Sequence, residues 1–339
     1  MTPIVENLVS TIIPTFNRPQ MLQEAVASVL AQTWRAIEII ISDDGSTDET
    51  PALGRALEKE HPGVIRYIWN NNRGAGPARE AGRLLARGEF IQYLDSDDTL
   101  WPRKFEVQIQ ALRQKPECGA AYGWIRLCPE DGLPIEKPHK WSGRELPTLF
   151  PRLLADRWWN TDCPLFRRSV CDAVGPWSDL RYSQDWEYDG RVGALGTRLV
   201  HCKEFVCDQR HHSENRQTMG RWLDPVDRVR FFNSLYDSAM KAGVTQEDSE
   251  LLHFSRWMFL NARESGILGD ALSAKQLINL AVQANIGASI AIKCYLYAAN
   301  IFGWKPFGLF TEKIRSIVKR EPGKHTLKQS WMESDFGKS

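Results

Sequence analysis

Residues 8–46 read LVSTIIPTFNRPQMLQEAVASVLAQTWRAIEIIISDDGS, and their hydrophobic pattern changes period twice. Leu8–Ile13 is a short β-branched run of the kind that makes a buried strand, and it ends at Pro14. Leu22, Ala25, Val26, Val29 and Leu30 then recur at helical spacing. Ile37–Ser42 returns to a β-rich run. This opening decides the fold class, because strand–helix alternation implies a mostly parallel sheet covered by helices.

The alternation continues outward. Ser46 and Glu49 are spaced as in a capping box, and Pro51 suits a first helical turn. Val64–Trp69 is a third strand, with a helix expected from near Pro77 to Gly88. Glu89–Leu94 is a fourth strand, followed by a helix led by Pro102, and Cys118–Leu127 reads as a fifth. Pro129 to Pro147 is polar and Pro-rich, an insertion or flexible loop. From Trp158 the chain is rich in Trp, Arg and Asp. Beyond about Pro225 it turns helical, at Arg228–Met240, Leu251–Ser265, Ala274–Ala284 and Phe307–Lys319.

Bulk composition removes several function classes. Of 339 residues, 42% are apolar and 25% charged, which suits a soluble globular chain with a substantial core. Lys and Arg number 43 against 42 Asp and Glu, a balance that argues against a nucleic-acid partner. Seven cysteines without a CxxC pair are neither a disulfide framework nor a zinc ribbon, and suit reduced thiols in the cytoplasm. Met1–Asn7 lacks the pattern of a signal peptide. The most apolar run, Ile290 to Trp304, is interrupted by Lys293 and Asn300, so no membrane span is expected.

In parallel α/β sheets, ligands bind at the carboxyl ends of the strands. The segments that follow the strands here are PTFNR (14–18), DDGS (43–46), NNRGAG (71–76) and DSDD (95–98). Asp95 and Asp97 alternate along an extended segment and so can point to one place. Crowded carboxylates repel, and a hard divalent cation such as Mg²⁺ or Mn²⁺ relieves this while neutralising a diphosphate. A plain turn with Asp98 as a helix cap explains the same tetrapeptide. Asn72, Gly74, Gly76 and Arg79 offer N–H groups and a guanidinium for phosphate. There is no GxGxxG fingerprint and no P-loop.

The segment TIIPTFNRPQMLQEAVASVLAQTWRAIEIIISDDGSTDET resembles the start of the family 2 glycosyltransferases, which have the GT-A fold. NRGAGPAREAGRLLARGEFIQYLDSDDTLWPRKFE continues the resemblance, and CPLFRRSVCDAVGPWSDLRYSQDWEYDGRV (163–192) is similar to the acceptor-side segment. The resemblance covers roughly residues 8–215 and implies a Rossmann-like, mostly parallel mixed sheet over residues 1–222, with a donor half to about 127 and an acceptor half from 128; the helical pattern beyond it reads as a helical extension at 223–339 with a basic tail. It implies that Pro14, Thr15 and Asn17 line a nucleoside pocket, that Asp44 contacts the base, and that Asn72 and Arg79 lie near base and diphosphate. It further implies Asp95 at the ribose, Asp97 at an Mn²⁺ or Mg²⁺ ion with Asp98 as a second carboxylate, and His212 at the metal or diphosphate. Asp185 becomes the general base. Gln184 and Glu80 depart from the family pattern, which usually has Glu and Asn there.

These expectations describe an inverting transferase that moves a sugar from a nucleotide diphosphate donor, most simply a UDP-sugar, to a hydroxyl of a saccharide or lipid-linked saccharide. The setting implied is bacterial surface polysaccharide or glycoconjugate assembly. A sugar nucleotidyltransferase would need a basic Gly-rich loop after the first strand, which PTFNRPQ is not. A degenerate binding module would have lost its carboxylates, yet Asp44, Asp95, Asp97 and Asp185 are present. Trp158, Trp159, Trp177 and Trp186 could stack on sugars, although core packing is the favoured reading for at least two of them. Phe307, Phe310, Ile314, Ile317 and Val318 share a helical face, with Lys313, Arg315, Lys319 and Arg320 mainly elsewhere. Such a basic amphipathic helix fits peripheral contact with the inner face of the cytoplasmic membrane. Docking on its own domain is the favoured reading, and homo-oligomerisation is a third.

Overall fold

The computed structural model describes residues 3–130, 132–211, 224–285, 287 and 289–318. The chain forms two compact units, Met1–Phe254 and Ser255–Ser339. In the first, β1 (Val5–Thr15), α1 (Pro19–Leu30), β2 (Ile37–Asp43), α2 (Thr50–Glu60), β3 (Ile65–Trp69), α3 (Ala75–Leu85) and β4 (Gly88–Tyr93) follow one another as strand and helix. There follow β5 (Thr99–Leu100), α4 (Lys104–Gln114), β6 (Cys118–Cys128), β7 (Leu165–Arg167), α5 (Arg168–Val174), α6 (Gln184–Ala194), β8 (Arg198–Arg210) and α7 (Pro225–Lys241). α8 (Ser249–Ile267) runs from the first unit into the second, which holds α9 (Ala271–Ala284), α10 (Ser289–Phe302) and α11 (Trp304–Val318).

One eight-stranded sheet has the order β3-β2-β1-β4-β7-β6-β8-β5. Its first four strands are parallel, as the sequence periods predict. β7 then pairs antiparallel with both β4 and β6, β6 and β8 are parallel, and β5 closes the edge antiparallel to β8. The sheet is therefore mixed. Val9, Ile12 and Ile13 of β1 and Ile39, Ile40 and Ile41 of β2 are all buried, the near-continuous apolar pattern of strands covered on both faces.

Two local expectations are corrected. Ser46 and Glu49 do not form a capping box. α2 begins at Thr50 with no side-chain cap, and the Ser46 hydroxyl instead accepts the Asn17 N–H at 2.9 Å. The Pro129–Pro147 stretch is tied down at points along its length. Ile135 bridges Leu127, and the Ser142 hydroxyl accepts the Ile125 N–H at 3.0 Å.

Candidate donor and acceptor site

The strand register brings the four predicted segments to one edge. Thr15 pairs with Asp43, Asp43 pairs with Trp69, and Tyr93 pairs with Ile12, so β1 to β4 end nearly level. Everything that follows these strands emerges on the same side of the sheet.

Asp43 and Asp44 organise the first loops. Asp43 is buried and accepts from the Ser46 N–H and the Tyr67 hydroxyl, so it is a structural brace. Asp44 accepts the N–H groups of Arg73 and Gly74, both at 2.8 Å. Burial raises the Asp44 pKa, and those two N–H groups oppose the rise. Gly74, with φ at 99°, takes a backbone conformation that a side chain would strain just as the chain enters α3. Asn72 is exposed at the lip of this loop. Asn17 is also exposed, and its Oδ1 accepts the Thr47 N–H at 2.8 Å. Pro14 and Thr15 are buried at the end of β1, and the Thr15 hydroxyl has no hydrogen-bond partner among the described residues.

Arg79 is the centre of the arrangement. Its side chain is 5% exposed, its Nη2 pairs with Asp95, and its guanidinium lies over Trp177 at 4.8 Å. Its Nε and Nη1 are buried without a hydrogen-bond acceptor among the described residues. Buried donors of this kind call for a partner, and an anion such as a phosphate suits them.

The three aspartates after β4 diverge, although alternation predicts that Asp95 and Asp97 converge. Asp95 meets Arg79. Asp97 meets Arg18 at 2.8 Å, with each side chain 20% exposed. Asp98 turns inward, accepting the Arg210 N–H at 2.8 Å on Oδ1 and Asn160 Nδ2 at 3.4 Å on Oδ2. The reason is a tight turn in which the Asp98 N–H donates to the Asp95 carbonyl at 3.1 Å. Among the described residues no three His, Cys, Asp or Glu side chains gather as a metal cage. The donors do fit a cation that arrives with its own phosphates, since Mg²⁺ is commonly held by one or two carboxylates plus phosphate oxygens. Asp97 is the candidate for such a carboxylate, with its Oδ2 paired to Arg18 here, whereas both Asp98 oxygens face protein donors. His212 lies outside the described residues. Its neighbour Arg210 is the basic residue of that segment seen on the acidic loop, donating through Nε to the Asp97 carbonyl at 2.5 Å.

Asp162 is a site residue that the sequence did not single out. It is fully buried and accepts the Asp95 N–H at 2.6 Å and Asn160 Nδ2 at 2.7 Å. Burial, followed by the negative charge of Asp95, pushes its pKa up, and burial and Asp162 do the same to Asp98. The folded pair thus favours a bound proton. Its stabilising contribution is present below the ordinary carboxylate range and is lost as pH rises through the raised value. Asp162→Asn is expected to reduce that loss, leaving the part that burial of Asp98 itself contributes. Between about pH 5 and pH 8 the parent should lose on the order of 1 kcal/mol more stability than the variant, as urea titrations at both pH values would show.

Asp185 lies in the first turn of α6, after Ser183 in a left-handed conformation with φ at 57°. Its Oδ2 meets Arg157 Nη1 at 2.8 Å, and its Oδ1 accepts the Trp186 N–H at 2.8 Å. Burial alone would raise its pKa, but Arg157, with Arg79 behind it, outweighs burial and holds the carboxyl below the usual range. Arg157 also pairs with buried Asp189 at 2.8 Å, and the Trp159 indole N–H donates to the same carboxylate. Nothing in the local sequence marked Arg157, since a lone Arg before two Trp fits no motif.

Gln184 and Gly76 pack together: a Cβ on Gly76 would lie 2.0 Å from the Ser178 carbonyl oxygen and 3.5 Å from Gln184 Cγ. Glu80 pairs with Arg83 and accepts the Trp177 N–H at 3.3 Å. Trp158, Trp159 and Trp177 are buried, and Trp177 stacks on Tyr188 with centroids 4.0 Å apart. Core packing thus holds for three of the four tryptophans. Trp186 is partly buried and donates to the Leu153 carbonyl.

Comparison with known proteins agrees with this architecture. Residues 10–174 match the family model described as glycosyl transferase family 2. Chondroitin synthase of Escherichia coli is 35% identical over 244 residues, covering 70% of this chain and 33% of that protein. A glycosyltransferase of Rickettsia felis is 36% identical over 146 residues, 43% of this chain and 23% of that protein. The chain thus spans a quarter to a third of these relatives' length. Residues 1–349 of S. aureus TarS, solved with UDP-GlcNAc, superpose with a TM-score of 0.67 at 17% identity, covering 91% of this chain and 92% of that one. With its GT-A fold and the ordered set of segments on one sheet edge, the chain belongs to glycosyltransferase family 2.

Proposed function

We propose that the chain is an inverting glycosyltransferase that uses a nucleotide diphosphate sugar, with UDP as the nucleotide, in bacterial surface glycan assembly. The observation that carries this reading is Arg79. It pairs with Asp95 on the donor side, its charge acts on Asp185 on the acceptor side, and two of its buried N–H groups lack an acceptor among the described residues. One residue therefore ties a diphosphate-binding feature to the candidate base.

In this reading Pro14, Thr15, Asn17, Asp44 and Asn72 surround the nucleoside, and Asp95 meets the ribose. Arg79 steadies the diphosphate. Asp97, together with His212, would hold the Mn²⁺ or Mg²⁺ ion, which when bound neutralises charge on the leaving diphosphate. Asp98, with both oxygens engaged by protein donors, braces the loop through Arg210 and Asn160. Asp185 takes the proton of the acceptor hydroxyl as it attacks the anomeric carbon from the face opposite the diphosphate. A single displacement inverts that centre and needs no nucleophilic side chain.

Thermal unfolding with UDP, with and without Mn²⁺, tests the reading. A ligand at 100 times its Kd stabilises the native state by about 2.7 kcal/mol. UDP should raise the melting temperature, and more so with Mn²⁺. No shift under either condition would overturn the donor assignment. Hydrolysis of a panel of nucleotide sugars would then identify the sugar.

A further inference from the structure

α10 is 14 residues long, too short to cross a bilayer, which needs about 20 residues. Among the described residues no helix is long and apolar enough to do so. Yet its exposed face is apolar. Ile290, Tyr297 and Ile301 fall on one side at spacings of seven and four, and they are 75%, 75% and 69% exposed. Exposed Cys294 lies between them. The opposite side, with Ile292, Tyr295 and Ala299, is buried. The strip continues through exposed Phe302 to Phe307 and Phe310, whose rings follow at centroid spacings of 6.1 Å and 6.5 Å, with exposed Ile314 beyond. Contiguous exposed apolar strips of this kind mark interaction surfaces.

The charge around the strip selects its partner. α10 contains no acidic residue, and Lys293 borders its apolar row. Within the described residues 289–318, four Lys or Arg stand against one Glu. An isologous dimer would set this basic rim against itself. An anionic lipid surface meets both requirements, receiving the apolar row at the acyl boundary and the lysines at the headgroups.

We propose that the α10–α11 hairpin is a docking face for anionic membranes, with the α10 row Ile290–Tyr297–Ile301 as its apolar contact. This face is independent of the glycosyl-transfer reading. The basic α11 that the sequence points to supplies only one side of it.

Cosedimentation of the full chain with phosphatidylcholine vesicles, with and without phosphatidylglycerol, tests the proposal. The parent should bind the anionic vesicles, and less as salt rises. Tyr297→Ser/Ile301→Ser should weaken this binding about tenfold or more, because two large apolar contacts are lost. Both side chains are largely exposed, so the variant should keep the parent's melting temperature and its response to UDP. That control separates failure of this face from failure of the donor site. Equal binding to both vesicle types, or to neither, would overturn the proposal. A dimer seen by light scattering and lost in the double variant would overturn it too, by assigning the face to a second copy.

Discussion

Asp185→Asn is expected to abolish sugar transfer while leaving UDP binding intact. A positioned general base contributes about 10²–10⁴-fold to rate, and an amide cannot accept the acceptor's proton. The substitution keeps the shape of the side chain and an oxygen for the Trp186 N–H, so the start of α6 should persist. The loss should fall on kcat, because the residue is assigned to the proton transfer and not to the donor. Steady-state kinetics beside a UDP thermal shift would separate the two. Normal transfer by the variant would refute Asp185 as the base.

The second large effect is expected at Arg157. Its side chain is 13% exposed and joins two carboxylates, Asp185 and buried Asp189. Removing one partner of a buried ion pair typically costs about 3–5 kcal/mol, because a charge remains without compensation. Arg157→Met should therefore lower stability by about that amount in a urea titration. It should also change the pH profile. Arg157 keeps the Asp185 carboxyl below its ordinary range, so in the parent the stabilising pair is present above that range and is lost as pH falls through the depressed value. Without Arg157 the Asp185 pKa rises, and the acid limb of kcat/KM should move to higher pH. An unmoved limb would mean that Arg157 is a structural clamp alone.

Much of the N-terminal half of the sheet was legible because its signals are local. Strand runs, helical spacing and the polar residues after each strand lie within short windows, and β1 to β4 follow them closely. Reading failed where pairing is remote. β5 and β7 have two and three residues and are strands only because β8, β4 and β6 lie beside them. Asp95, Asp97 and Asp98 were correctly placed on the sheet edge, but alternation assumes an extended chain. The turn that closes between Asp95 and Asp98 sends each side chain to a different arginine or backbone group. Asp162 and Arg157 acquire their roles from partners dozens of residues away, which no window could show.

The close approach of Gly76 to Ser178 has a bearing on engineering. A chimera that takes residues 128–222 from a relative would treat that half as a separate module. Here the entry of α3 lies so close to the segment leading into α6 that a Cβ on Gly76 would sit 2.0 Å from the Ser178 carbonyl oxygen. A graft of the later half alone would inherit a backbone shaped for another loop. Crossovers that carry residues 70–80 along with 175–186 should yield the larger share of folded hybrids.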